Sequence, residues 1–196
     1  MTTAQKTKVT DEYVIAEVIK LNQPFPRGFV YFLKTYVWLE DRKFSGEGAE
    51  LVQTIRWQWW PVHDDLVNDL KSRLLIILKA RQVSVSWLLA AYRLYNALFT
   101  RNYLYIIISQ GQDEANESLR KSHFIYDHLP EWLQPGLSTD SKSELVIAGT
   151  KGTIQAFPST EKAGRSYTAN CIEADEAAHH EYAATNFAAY SPAIDA

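Results

Sequence analysis

The stretch "LLIILKARQVSVSWLLAAYRLYNALF", residues 74–99, decides how this chain is read, because an apolar run meets an apolar helical run across a short polar turn. The pentad 74–78 has the length and composition of a buried strand, and residues 86–99 have helical period. A strand that turns directly into a helix points the backbone N–H groups around Val83 to Ser86 outward, where the helix dipole favours an anion. Phosphate-binding turns of this kind read G-x-x-x-x-G-K-[ST]. Here only Ser86 agrees: Lys79 stands at the first glycine, Ser84 at the second and Val85 at the lysine. Lys79 and Arg81 can offer cations to phosphates and Ser86 a hydroxyl to Mg²⁺. The same residues also suit an ordinary strand-to-helix turn with two surface cations, and the stretch by itself leaves both readings open.

Outward from this turn the pattern is regular. Strand-like runs at 103–109, 144–148, 153–157 and 170–174 alternate with segments of helical period at 61–72, 86–99 and 112–129. Such alternation predicts an α/β fold with a mostly parallel sheet covered by helices. "ELVIAGTKGTIQAF" (144–157) reads as a hairpin turning at Gly149 and Gly152. Upstream, "DEYVIAEVIKLN" (11–22) sets Val14, Ile15, Val18 and Ile19 at helical spacing, predicting an amphipathic helix. "GFVYFLKTYVWL" (28–39) reads as a second buried element and "DRKFSGEGAE" (41–50) as a charged, glycine-bearing loop.

Composition narrows the function classes. With 196 residues, 46% hydrophobic and 22% charged, the chain can form one domain with a substantial core. A net charge of -3 excludes a surface built to coat nucleic acid and leaves room only for a local basic patch. A single cysteine, Cys171, excludes a disulfide framework and fits a reducing cytosol. No secretory signal is recognisable, and no apolar run reaches the roughly 18 residues a membrane span needs. The expectation is a soluble, intracellular chain that is neither secreted nor membrane-bound.

A second stretch bears chemistry. "NCIEADEAAHH" (170–180) ends an apolar strand in Asp175 and Glu176. An acidic pair at a strand's carboxyl end suits Mg²⁺-dependent phosphoryl transfer, one carboxylate holding the metal's shell and the other orienting the attacking water. A solvated loop start reads the same way. Mg²⁺ bridging Ser86 and Asp175 would join both stretches into one site. Arg165, in the small-residue loop "AGRSY", is 11 positions before Glu176 and suits either a catalytic arginine or a surface one. Trp57, Trp59 and Trp60 in "RWQWWPVHDDL" suit a core better than a purine platform. His63, His179 and His180 have no metal-ligand spacing and read as structural or surface residues.

"YVWLEDR", "WWPVHDDLV", "IILKARQVSVSWLLAAY", "YIIISQGQDEA", "HLPEWL", "IQAFPSTEKAGRSYTA", "CIEADEAAHHEYA" and "SPAIDA" follow one another in this order. The ordered set resembles the ATPase domain of the large terminase subunit of tailed bacteriophages, the motor that pumps DNA into the procapsid, over residues 29–196. The resemblance implies a P-loop NTPase architecture of ASCE/RecA type, its mostly parallel sheet sandwiched by helices, over 28–196. Residues 1–27 would be an N-terminal tail and helical extension. Terminases of this group have a deviant Walker A with the lysine moved to its start. Lys79, Ala80, Arg81, Gln82, Val83, Ser84, Val85 and Ser86 would then bind nucleotide. Asp175 would be the Walker B metal ligand alongside Ser86, and Glu176 the catalytic carboxylate. Arg165 would be an arginine finger offered to a neighbouring subunit. His63 falls where relatives place the glutamine that reads adenine and would join the nucleotide-binding set, and Ser84 falls where they have glycine. A residue there that needs positive φ costs roughly 1 kcal/mol or more with a Cβ.

The implied cofactors are ATP and Mg²⁺. The implied partners are double-stranded DNA, a homo-oligomeric ring on a portal and a small terminase subunit, in the host cytoplasm. The chain ends before the family's coupling motif and nuclease domain, so nuclease activity is not expected. The alternatives are a nucleotide-binding or assembly module with little or no hydrolysis, and another DNA translocase or helicase of the same superclass.

Overall fold

The computed structural model describes residues 9–44, 50–78, 84–161 and 168–190. In chain order the elements are α1 (Asp11–Leu21), α2 (Arg27–Tyr36), β1 (Trp38–Phe44), β2 (Glu50–Arg56), α3 (Val62–Asp69), α4 (Val85–Phe99), β3 (Leu104–Ser109) and α5 (Gln112–Asp127). Then follow β4 (Leu137–Asp140), β5 (Glu144–Ile147), β6 (Thr153–Pro158), β7 (Cys171–Ala174) and α6 (Ala183–Tyr190). Among the described residues no helix is long and apolar enough to cross a membrane.

Five strands form the main sheet in the order β4-β5-β6-β3-β7. β3 runs parallel to β6 and to β7, whereas β5 is antiparallel to both β4 and β6. The sheet is therefore mixed, and the expected mostly parallel sheet of P-loop, ASCE/RecA-like architecture is not found. Connection length explains the difference. Parallel neighbours need a crossover of a dozen residues or more, which α5 helps supply between β3 and β6. Only residues 141–143 join β4 to β5 and only 148–152 join β5 to β6, so these strands can pair only antiparallel.

The pentad 74–78 does not form the expected strand. Leu74, Ile76 and Leu78 are 60%, 77% and 96% exposed, while Leu75 and Ile77 pack against the core. The segment thus buries alternate side chains, as an extended chain does when one side only is covered. A run of five apolar residues predicts cover on both sides, and that inference fails here.

Among the described residues the expected helical sandwich is not found either. α4 and α5 pack on each other and on one sheet face, against Tyr105 and Ile107 of β3 and Ile154 and Ala156 of β6. The alternate residues Ile106 and Ile108 point to the other face, in a small cluster with Ala169, Phe157 and Ile172. Ile107, fully buried, contributes roughly 1.5–3 kcal/mol through its side chain alone.

The N-terminal helices dock on the outside of α4. Phe29 meets Tyr92 edge-on with centroids 5.5 Å apart, and Tyr95 donates its hydroxyl to the Leu21 carbonyl at 2.6 Å. The Val-Ile stripe of α1 does not face inward: Ile15, Val18 and Ile19 are exposed, and Glu17 is buried instead. Its carboxylate accepts hydrogen bonds from Lys20 at 2.7 Å, Tyr31 at 2.6 Å and the Tyr36 hydroxyl. Burial works to raise the Glu17 pKa, but these donors outweigh it and hold the group below its ordinary value. The segment read as a charged loop contributes to the antiparallel β1–β2 hairpin. Arg120 of α5 anchors that hairpin through a forked pair with Glu40 at 2.6 and 3.0 Å.

Candidate functional site

Thr150 Oγ1 donates to the Ala97 carbonyl at 2.6 Å, and a Cβ on Gly152 would lie 2.1 Å from that same oxygen. The C-terminal end of α4 is thus pressed against the turn that starts β6. Leu104 and Thr153 are paired there, so this is the N-terminal edge of the parallel strands. α4, of 15 residues, is about 22 Å long and β3, of 6 residues, about 20 Å, so α4 begins at the level where β3 and β7 end. The sequence-predicted residues Ser86 and Asp175 therefore lie at the same edge of the sheet.

At α4's start, Ser84 adopts φ 57° and ψ 9°, the left-handed conformation. Its carbonyl accepts from Leu88 N–H at 2.9 Å, closing the first turn, while its side chain makes no capping hydrogen bond. The N–H groups of Val85, Ser86 and Trp87 lead the helix without intrahelical acceptors, and no acidic residue occupies the first turn. Ser86 is half-buried beside them.

β7 is held by its ladder to β3 and, just past it, by the Asp175 N–H donating to the Ile108 carbonyl at 2.9 Å. Asp175 is half-buried, and Glu176 is exposed in a left-handed conformation, φ 54° and ψ 39°. The chain then folds back through a 3₁₀ turn (Ala177–His179), bringing the His180 ring against the Asp175 carbonyl with Nε2 at 2.8 Å. His180 is buried whereas His179 is exposed. The sequence signalled no such role for His180, because the contact depends on the 3₁₀ turn between the two residues.

A buried ion pair between the helix and the strand was also missed. Arg93 of α4 is wholly buried and donates from Nη1 to Glu173 Oε2 at 2.8 Å, from Nε to Ser122 Oγ at 2.7 Å, and from Nη2 to the Ser118 carbonyl. The Tyr105 hydroxyl donates to the same Glu173 oxygen at 2.9 Å. A lone arginine in the apolar face "LLAAYRLYNALF" was the available signal. Nearby, burial holds the Lys121 ammonium below the usual lysine range, while the charges of Glu117 and Asp175 pull the other way. Cys171 lies on the same strand, and burial pushes its thiol up to about 12.

His63 opens α3 beside the tryptophans of residues 57–60. Its ring is fully buried against Trp57 and Trp59, at centroid distances of 4.9 and 5.6 Å, and Nδ1 accepts from the Trp60 N–H at 3.0 Å. Trp57 belongs to the core, and Trp60 is largely exposed. Lys79, Ala80, Arg81, Gln82, Val83 and Arg165 lie outside the described residues.

Ser86 and Asp175 offer a hydroxyl and a carboxylate, the hard oxygen donors that Mg²⁺ takes in ones and twos when substrate phosphates complete its shell. Among the described residues no group of three or more His, Cys, Asp or Glu side chains could hold a metal by itself. No protein-family model matches the chain, and no curated protein matches it.

Proposed function

We propose that the chain is a Mg²⁺-dependent ATP hydrolase of the large-terminase type, acting on double-stranded DNA when assembled with copies of itself on a portal, with a small subunit as partner. The reading rests on the site and not on fold likeness, since function belongs to sites rather than to folds. The observation that carries it is a pair of strained residues. Of the four non-glycine residues with positive φ among the described residues, Asn102 and Lys151 sit in turns at the N-terminal edge of the parallel strands. Ser84 and Glu176 sit at the opposite edge, one opening α4 and the other closing β7. Left-handed non-glycine residues cost of order 1–3 kcal/mol each and persist where the surroundings impose them, which happens disproportionately at functional sites.

In this reading the N–H groups of Val85 and Ser86 face the phosphates, with Lys79 and Arg81 supplying positive charge. Ser86 and Asp175 would hold Mg²⁺, which would supply charge neutralisation for the transferred group. Glu176, turned out of the strand by its left-handed backbone, orients the attacking water. Arg165 of a neighbouring subunit stabilises the transferring phosphoryl group. A module that binds nucleotide without turnover is the alternative, favoured by the Cβ that Ser84 carries at the turn.

Calorimetric titration of ATP with Mg²⁺, combined with a turnover assay with and without DNA, tests the reading. Glu176→Gln keeps the side chain's size and removes its charge, so it is expected to bind ATP as wild type does and to lose turnover by about 10²-fold or more. Wild-type turnover in that variant, or no ATP binding by either protein, would remove the proposal. Binding without hydrolysis by wild type on DNA would establish the alternative.

A further inference from the structure

We infer that Arg93 and Glu173 are positioning residues that set α4's start against β7's end; this deepens the proposed function and rests on it. A buried ion pair is weak evidence of a stability device, because well-packed apolar residues of similar volume often replace one at no loss. What the pair supplies is direction. One guanidinium fastens α4 to β7 through Glu173 and to α5 through Ser118 and Ser122, and the Glu173 oxygen is tied in turn to Tyr105 of β3. Four elements meet at a rigid planar fork, which tolerates less slip than an apolar contact does.

The placement of the pair gives that fork its leverage. Ser86 is seven residues from Arg93 along α4, about 10 Å, and Asp175 is two residues beyond Glu173, about 7 Å. Among the described residues β7 is an edge strand, laddered only to β3. Glu173 ties it to the helix layer through Arg93. A catalytic constellation displaced by about 1 Å can lose on the order of 10²-fold in rate. Arg93 and Glu173 touch neither the nucleotide nor Mg²⁺ in this scheme, and act by holding Ser86 and Asp175 at a fixed separation.

The test uses the whole chain with Mg²⁺ and ATP, comparing Arg93→Met/Glu173→Leu with Glu173→Gln, which can still accept from Arg93 and Tyr105. Thermal melting reports folding, and kcat, KM and the Mg²⁺ concentration for half-maximal turnover report the site. The double variant is expected to melt near wild type, keep KM within a few-fold, lose about 10–100-fold in kcat, and need more Mg²⁺. Glu173→Gln is expected to recover most of kcat. A folded double variant with wild-type kcat and Mg²⁺ requirement overturns the inference while leaving the ATPase reading intact. If the double variant does not fold, the single changes Glu173→Gln and Glu173→Leu decide: equal kcat in both overturns the inference. A wild-type chain that neither binds nor hydrolyses ATP overturns the ATPase reading and this inference with it.

Discussion

Replacing Ser84 probes both the backbone of the turn and its proposed ligand. At φ 57° and ψ 9° a residue with a Cβ carries roughly 1–2 kcal/mol of conformational cost that glycine does not. Glycine gives back roughly 0.5–1 kcal/mol through its freer unfolded chain. The serine side chain makes no capping hydrogen bond that would be lost. Ser84→Gly is therefore expected to change stability by about 0 to +1.5 kcal/mol, raising the melting temperature by anything from nothing to about 5 °C for a domain of this size. Ser84→Ala keeps the Cβ and should stay near wild type, while Ser84→Val places a β-branched residue in the left-handed region and should lose about 1–2 kcal/mol. The order Gly ≥ Ser ≈ Ala > Val, read by calorimetric melting, is the signature. Should Gly fall below Ala, as it does at ordinary backbone positions, the left-handed assignment is refuted. ATP titration of the same proteins separates conformation from function. Removing the Cβ should tighten binding a few-fold if the turn faces phosphates, and equal or looser affinity would refute that part.

Two further outcomes are expected. Arg165→Ala and Glu176→Gln should each be inactive alone, yet partly recover ATPase activity when mixed in a proven oligomer. There an intact arginine meets an intact glutamate across an interface, and such a finger is worth about 10³–10⁵ in rate; no recovery at any ratio would exclude action in trans. Glu17→Ala should destabilise the chain by about 2–4 kcal/mol, because buried Tyr36 then loses a charged acceptor. Since the folded pKa of Glu17 lies below its ordinary 4.5, its contribution is complete above that value and is lost as pH falls through the depressed one. The stability difference between wild type and Glu17→Gln, followed by circular dichroism, should therefore shrink as pH falls below 4.5, and a difference that stays constant with pH would refute this.

The sequence by itself determined the elements whose evidence is local. α4 and α5 follow from apolar period, the β5–β6 hairpin from glycines between two short strand runs, and β3, β6 and β7 from apolar runs of strand length. The terminase resemblance, which sets Ser84 where relatives have glycine, implied a position where positive φ matters, and the backbone there is left-handed. Pairing was decided only in three dimensions. "LSTD" became β4 because β5 offered it a partner, and the charged ends of β1 and β2 became strands because each completed the other's hydrogen bonds. "LLIIL" had the composition of a strand, but composition cannot supply a neighbouring ladder, and three of its five side chains remain exposed. The inverted face of α1 and the Arg93–Glu173 tie have the same origin. Burying a carboxylate or a guanidinium is favourable only when donors and acceptors converge on it from distant parts of the chain, and the partners of Arg93 lie 25, 29 and 80 residues away. Local periodicity records which residues avoid water, whereas the choice of partner is set by groups that meet only after the chain has folded.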